Sequence, residues 1–100
     1  MKNSVTMYLE TLNPRRFETN TQRALFKLLK SGDWVRLNDF RIPSAGARIR
    51  DLRKERYGGF EVKCRSAASL ERNGSRHTFY YKLSQRNLTA AKVRRVFELV

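Results

Sequence analysis

The sequence predicts an α+β domain, with helices first and a β-hairpin after them, and three observations carry that expectation. Up to about residue 59 the apolar residues recur at helical spacing between capping signals. From Phe60 the period drops to two, and an Asn73-Gly74 pair divides the alternating runs. The chain has 22 Lys and Arg against 9 Asp and Glu, a surplus of +13 on 100 residues. A chain of this length holds one modest core, and such a surplus costs self-repulsion unless a polyanion relieves it. Nucleic acid is the first candidate partner and an anionic membrane surface the second. The single cysteine, Cys64, excludes an intramolecular disulfide. No apolar run approaches the roughly 20 residues of a membrane span or forms a signal segment, so the chain reads as soluble and intracellular.

Residues 1–17 read as a short helix or an ordered arm: Val5, Tyr8, Leu9 and Leu12 keep helical spacing, while Val5, Met7 and Leu9 also alternate. Thr19 followed by Gln22 is a capping-box signature, and Ala24, Leu25, Leu28 and Leu29 form a stripe that stops at Ser31-Gly32. Trp34-Val35 predicts a short strand, with room for two turns of helix before Pro43. Ser44 is a good N-cap for a new helix, and Gly58-Gly59 supplies its stop. Two helices across a tight turn make a helix-turn-helix.

Phe60, Val62 and Cys64 then alternate with charged residues, as Phe79, Tyr81 and Leu83 do with Tyr80 and Lys82. A two-residue turn at Asn73-Gly74 sets Cys64 against Leu83, Ser66 against Tyr81, Ala68 against Phe79 and Leu70 against His77, which brings the apolar members to one face. Cys64, Trp34, Phe40, Phe79 and Tyr81 are expected in the core, and Tyr80 on the outer face. Asn87 or Thr89 caps a last helix, in which Leu88, Val93, Val96, Phe97 and Val100 line one side and Lys92, Arg94 and Arg95 the other. The organisation is therefore residues 1–17, a domain over 18–85, and an amphipathic helix over 86–100. Two covers are open to the apolar side of that helix: the stripe of residues 5–12, or a second chain. The second, a homodimer through the terminal helices, is the expectation.

The segment from Arg41 to Gly59 holds six basic residues and two acids. Wound at 100° per residue, it places Ala45, Ile49, Leu52 and the stem of Arg56 on the core side. Ser44, Ala47, Arg50, Asp51 and Lys54 lie opposite, with Arg48 and Arg53 on the flanks. Small residues among long cations let a helix sit deep in a groove, where Arg can donate two hydrogen bonds to guanine. A solvated face of intrahelical ion pairs among Arg48, Asp51 and Glu55 is the plainer reading of the same residues.

The order helix, short helix, basic helix and hairpin resembles the winged helix-turn-helix, a three-helix core with a β-hairpin wing, here with an added C-terminal helix. More narrowly, Ala45-Gly46-Ala47 followed by Arg48-Ile49-Arg50-Asp51-Leu52-Arg53-Lys54 and Gly58 resembles small helix-turn-helix proteins frequent in bacteriophages and prophages. The segment before Ile42 is shorter than in that family, which implies a truncated first helix. The resemblance implies a sequence-specific double-stranded DNA-binding protein, with a recognition helix over about 44–57 in the major groove. A wing over about 71–77 would then meet the backbone or minor groove. Its contact set would be Ser44, Ala47, Arg48, Arg50, Arg53 and Lys54 on the helix, and Arg72, Asn73, Ser75 and Arg76 on the wing.

Such a protein would serve as a transcriptional regulator or as a recombination or replication accessory factor, in the cytoplasm of a bacterial host at the nucleoid. A protein-interaction module and an RNA-binding winged helix are the alternatives; the first has no need of +13. No residue constellation for catalysis is present, so no enzyme is expected. His77, the sole histidine, has no partner at ligand spacing, and neither a metal nor another cofactor is expected.

Overall fold

The computed structural model describes residues 3–74, 77–86 and 88–98. Helix α1 (Ser4–Leu9) starts where the Asn3 side chain accepts the Thr6 N–H at 2.8 Å. After a 3-10 turn over Pro14–Arg16, α2 (Asn20–Ser31) opens with the expected capping box. Thr19 Oγ1 accepts the Gln22 N–H at 3.1 Å, and Gln22 Oε1 accepts the N–H groups of Thr19 and Glu18 at 3.2 and 2.8 Å. The helix ends at Gly32 in the left-handed conformation.

Strand β1 (Val35–Arg36) follows, one residue later than Trp34-Val35 suggests. The expected two turns of helix are a single 3-10 turn, Leu37–Phe40. Arg41 is already left-handed, and Pro43 biases Ile42 away from helix, so few residues are left to extend that turn. Helix α3 (Ala45–Arg53) is shorter than the expected 44–57. Its closing carbonyls are taken by the returning chain: Phe60 N–H donates to Leu52 O at 2.8 Å and Gly59 N–H to Lys54 O at 2.9 Å. Lys54 is extended, a 3-10 turn covers Glu55–Tyr57, and Gly58 takes φ 107°. A Cβ on Gly58 would also stand 2.9 Å from the Phe60 ring. Arg56 is exposed and contributes nothing to the core.

Strands β2 (Val62–Ser66) and β3 (Phe79–Leu83) complete a three-stranded antiparallel sheet in the order β1-β3-β2. The register differs from the expected one by two residues: Leu83 pairs with Val62, Tyr81 with Cys64 and Phe79 with Ser66. The cause is a turn of helix, α4 (Ala67–Leu70), where a strand was expected. Ala67, Ala68 and Leu70 are good helix formers. Ser69 Oγ donates to Ser66 O at 2.9 Å, and Glu71 N–H to Ala67 O at 2.8 Å. Gly74 packs so closely on this turn that a Cβ would meet Ala67 O at 2.1 Å. A slip of two preserves which face each side chain takes, so Val62 and Leu83 still point into the core. Of the residues expected inside, Phe40 is buried and Tyr81 half-buried against the core, whereas Cys64 and Phe79 are exposed and Trp34, half-buried, falls by alternation from Val35 on the opposite face of the sheet.

Helix α5 (Ala90–Glu98) is capped by Thr89, whose hydroxyl accepts the Lys92 N–H at 3.3 Å. Asn87 and Val100 lie outside the described residues. The core joins Ala24, Leu25 and Leu28 of α2 to Ile49 and Leu52 of α3, with Val35, Phe60, Val62 and Leu83 from the sheet region and Val93 and Val96 from α5. Gln22, itself buried, donates Nε2 to Val96 O at 3.0 Å and so ties the start of α2 to α5. The apolar side of α5 is covered within the chain by α1 and α2, the first of the two covers open to it, and nothing in the structure bears on a second chain. The Tyr8 and Phe97 rings are 6.4 Å apart, Phe17 and Phe97 5.1 Å, and the Arg94 guanidinium lies 5.1 Å from the centre of the Tyr8 ring. Among the described residues no helix is long and apolar enough to cross a membrane.

Candidate nucleic-acid interface

Helix α3 buries Ala45, Ile49 and Leu52 against α2 and the sheet, as its periodicity requires. The opposite side is left to Ser44, Ala47, Arg50 and Lys54, of which Ser44, Arg50 and Lys54 are exposed. The entry to the helix is strained. Arg41 and Ser44 have φ of 53° and 52°, the left-handed region that costs a non-glycine residue about 1–2 kcal/mol. Ser44 stands at the N-cap position but makes no capping bond with its side chain, because that backbone conformation differs from the extended one a capping serine uses. Its hydroxyl is therefore not engaged in holding the helix.

The cations of α3 divide by what they touch. Asp51 gathers two of them: Arg48 Nε lies 3.3 Å from Oδ2 and Lys54 Nζ 3.2 Å from Oδ1. The Arg48 contact is an ion pair without hydrogen-bond alignment, and Nε is buried without a hydrogen-bond partner among the described residues. This realises part of the plainer, ion-paired reading, with Lys54 as Asp51's second partner. Arg53 is turned away from the outer side. Its Nε and an Nη donate to the carbonyl of Val62 at 3.2 and 2.7 Å, which pins the end of α3 to β2. Arg50 is the exception, for it makes no hydrogen bond or ion pair among the described residues.

No protein-family model matches this chain, and neither a curated protein nor a solved structure does.

The hairpin end is a separate feature. Arg72 and Asn73 are exposed there, in the turn that follows α4, while Ser75 and Arg76 lie outside the described residues. Gly74 N–H donates to Glu71 O at 3.2 Å, so the tip folds back on itself instead of forming the two-residue turn expected at Asn73-Gly74. The structure thus gathers Ser44, Ala47, Arg48, Arg50 and Lys54 on or beside one helix side, holds Arg53 on the sheet, and sets Arg72 and Asn73 on another element. Sequence reasoning missed Arg53's clamp, since an arginine in the last turn of a helix can serve solvent, the helix dipole or a neighbouring carbonyl equally well.

Chemically, the outer side of α3 offers one uncommitted guanidinium fork, an ammonium held on one side by a carboxylate, and two small residues beside them. That set suits an anionic or acceptor-rich surface approached closely. Among the described residues no group of three His, Cys, Asp or Glu side chains stands close enough to hold a metal ion.

Proposed function

We propose that the chain binds double-stranded DNA, with α3 in the major groove and the turn around Arg72 on the backbone or in the minor groove. The observation that carries this reading is the outer side of α3. Arg50 stands there exposed and makes no hydrogen bond or ion pair among the described residues, between Ala47 and Lys54, on a helix that the Arg53 clamp and the core hold in place. A preorganised fork of this kind can give bidentate hydrogen bonds to guanine, worth about 1–3 kcal/mol of discrimination.

The chain order supports a winged helix. A helix, a short strand, a 3-10 turn in place of the first motif helix, the basic helix and a hairpin follow in sequence, with β3 central in the order β1-β3-β2. On this reading the protein is a phage-type regulator or a recombination or replication accessory factor, acting at the bacterial nucleoid by occupying a site.

The test is selection of a preferred sequence from random duplexes, followed by variants. Arg50→Ala should collapse the difference between selected and random DNA, and Arg72→Ala should weaken both alike. Selection that returns no preferred sequence, with Arg50→Ala binding as tightly as the parent, would remove α3 from the interface.

A further inference from the structure

The face of the sheet turned away from α3 carries side chains that the duplex reading leaves unused. Val35, Val62 and Leu83 point into the core, so by alternation Arg36, Lys63, Arg65, Tyr80 and Lys82 point outward. The register places Arg36, Tyr80 and Arg65 in one row across the three strands, and Lys82 beside Lys63 in the next. Trp34, immediately before β1, continues that second row, and the Arg65 guanidinium lies 5.7 Å from the centre of its ring. Trp34 and Tyr80 are therefore diagonal neighbours, their strand positions about 7–8 Å apart by sheet geometry, among four cations.

Three acids lie on or beside this face, against its four cations. Asp33 is 4.0 Å from Lys82 Nζ, and Glu71 takes the Tyr80 hydroxyl. Asp39 lies near Tyr80 as well. At Trp34 the face runs into an open cleft of about 560 Å³, to which Lys27, Lys30 and Arg41 contribute alongside Asp39.

We infer that this outer sheet face is a binding surface for single-stranded DNA, distinct from α3. A duplex fits it poorly. The major groove, about 12 Å wide, admits a helix or a two-stranded ribbon, whereas three strands span about 10 Å between outer axes before side chains are added. Unpaired bases can lie flat on Trp34 and Tyr80 while the cations track the phosphates, and stacking of this kind tolerates any sequence. The Arg65 guanidinium over Trp34 extends the stack, since its plane accepts a base as the rings do. DNA is taken as the occupant because the reading of α3 already sets the chain on duplex DNA, so the unpaired strand within reach is DNA; the inference rests on that reading for this choice alone.

Trp34 is the only tryptophan, so its fluorescence reports on the face directly. An oligo(dT) of about 12 nucleotides, within the usual site size, should quench it saturably at physiological salt. The combined Lys63→Ala and Arg65→Ala variant alters only exposed residues and should weaken that titration about tenfold or more while affinity for duplex DNA stays the same. Tyr80→Ala should weaken it about fivefold or more. Arg50→Ala should leave it unchanged.

Absence of quenching by oligo(dT) overturns the inference, as does an equal loss of duplex and single-strand binding in the double variant. Tighter binding of oligo(U) overturns the assignment to DNA. If duplex binding fails in every assay while oligo(dT) quenches Trp34, the sheet face stands and the proposal for α3 falls. Thermal melts of each variant separate a lost contact from a lost fold.

Discussion

Two arginines three residues apart on one helix have opposite assignments. Arg53 donates twice to the Val62 carbonyl, and hydrogen bonds from a charged group are worth more than neutral ones. Arg50 makes no hydrogen bond or ion pair among the described residues. Arg53→Ala is therefore expected to destabilise the fold by about 1–2 kcal/mol, read as a lower denaturant midpoint at unchanged slope, because it frees α3 from β2. Arg50→Ala should shift stability by less than about 0.5 kcal/mol, as surface substitutions usually do, and show its effect in binding alone. Equal stability losses in the two variants would mean that Arg50 has a structural partner after all. Ser44 makes a related point: its left-handed backbone and idle hydroxyl are a local cost at the entry to α3 that the core sustains. Such costs persist only where surrounding contacts fix the chain, here Ile49 and Leu52 behind and Phe40 before.

At the scale of elements, Gln22 and Tyr8 hold the helices together. Gln22 completes the capping box of α2 and bonds α5 through Val96 O. Gln22→Ala should cost about 2–3 kcal/mol, since it removes a cap and leaves a carbonyl of α5 without its partner; a melt against the parent measures this. Burial, with the Glu98 carboxylate beside the hydroxyl, raises the pKa of Tyr8 above its ordinary value near 10. The folded chain then keeps a proton that the unfolded chain loses, so stability present below about pH 10 is lost as pH rises through the folded pKa. Tyr8→Phe should lack that part of the alkaline loss, and melts from pH 9 to about 11 would reveal the two curves converging. Much of this level was legible in the sequence. Thr19 and Gln22 announced α2, the spacing of Ala45, Ile49 and Leu52 gave the buried side of α3, and Gly58 marked the turn. The hairpin register was not legible, because the Asn73-Gly74 signal competed with the helical preference of Ala67–Leu70 and lost. Alternation also tells which face a residue takes and not how far the core extends, which is why Cys64 and Phe79 were misplaced.

Across the whole molecule, +13 sets two salt dependences of opposite sign. The charges repel one another in the free protein, and ions screen that repulsion over a length of about 10 Å at 0.1 M. Added salt should therefore raise the melting temperature of the free chain. Binding to a duplex works the other way, since each phosphate neutralised releases counterions and adds about 0.9 to the slope of log affinity against log salt. About four to seven contacts from α3 and the hairpin turn give a slope of roughly −4 to −6, a loss of hundreds- to thousands-fold between about 50 and 200 mM. Because screening stabilises the free chain over the same range, that loss cannot be blamed on unfolding. Melts and affinity titrations in one salt series make the comparison. A slope no steeper than about −1, with the melting temperature still rising, would mean that the cations repel one another without meeting a phosphate backbone, and duplex DNA would then not be the ligand.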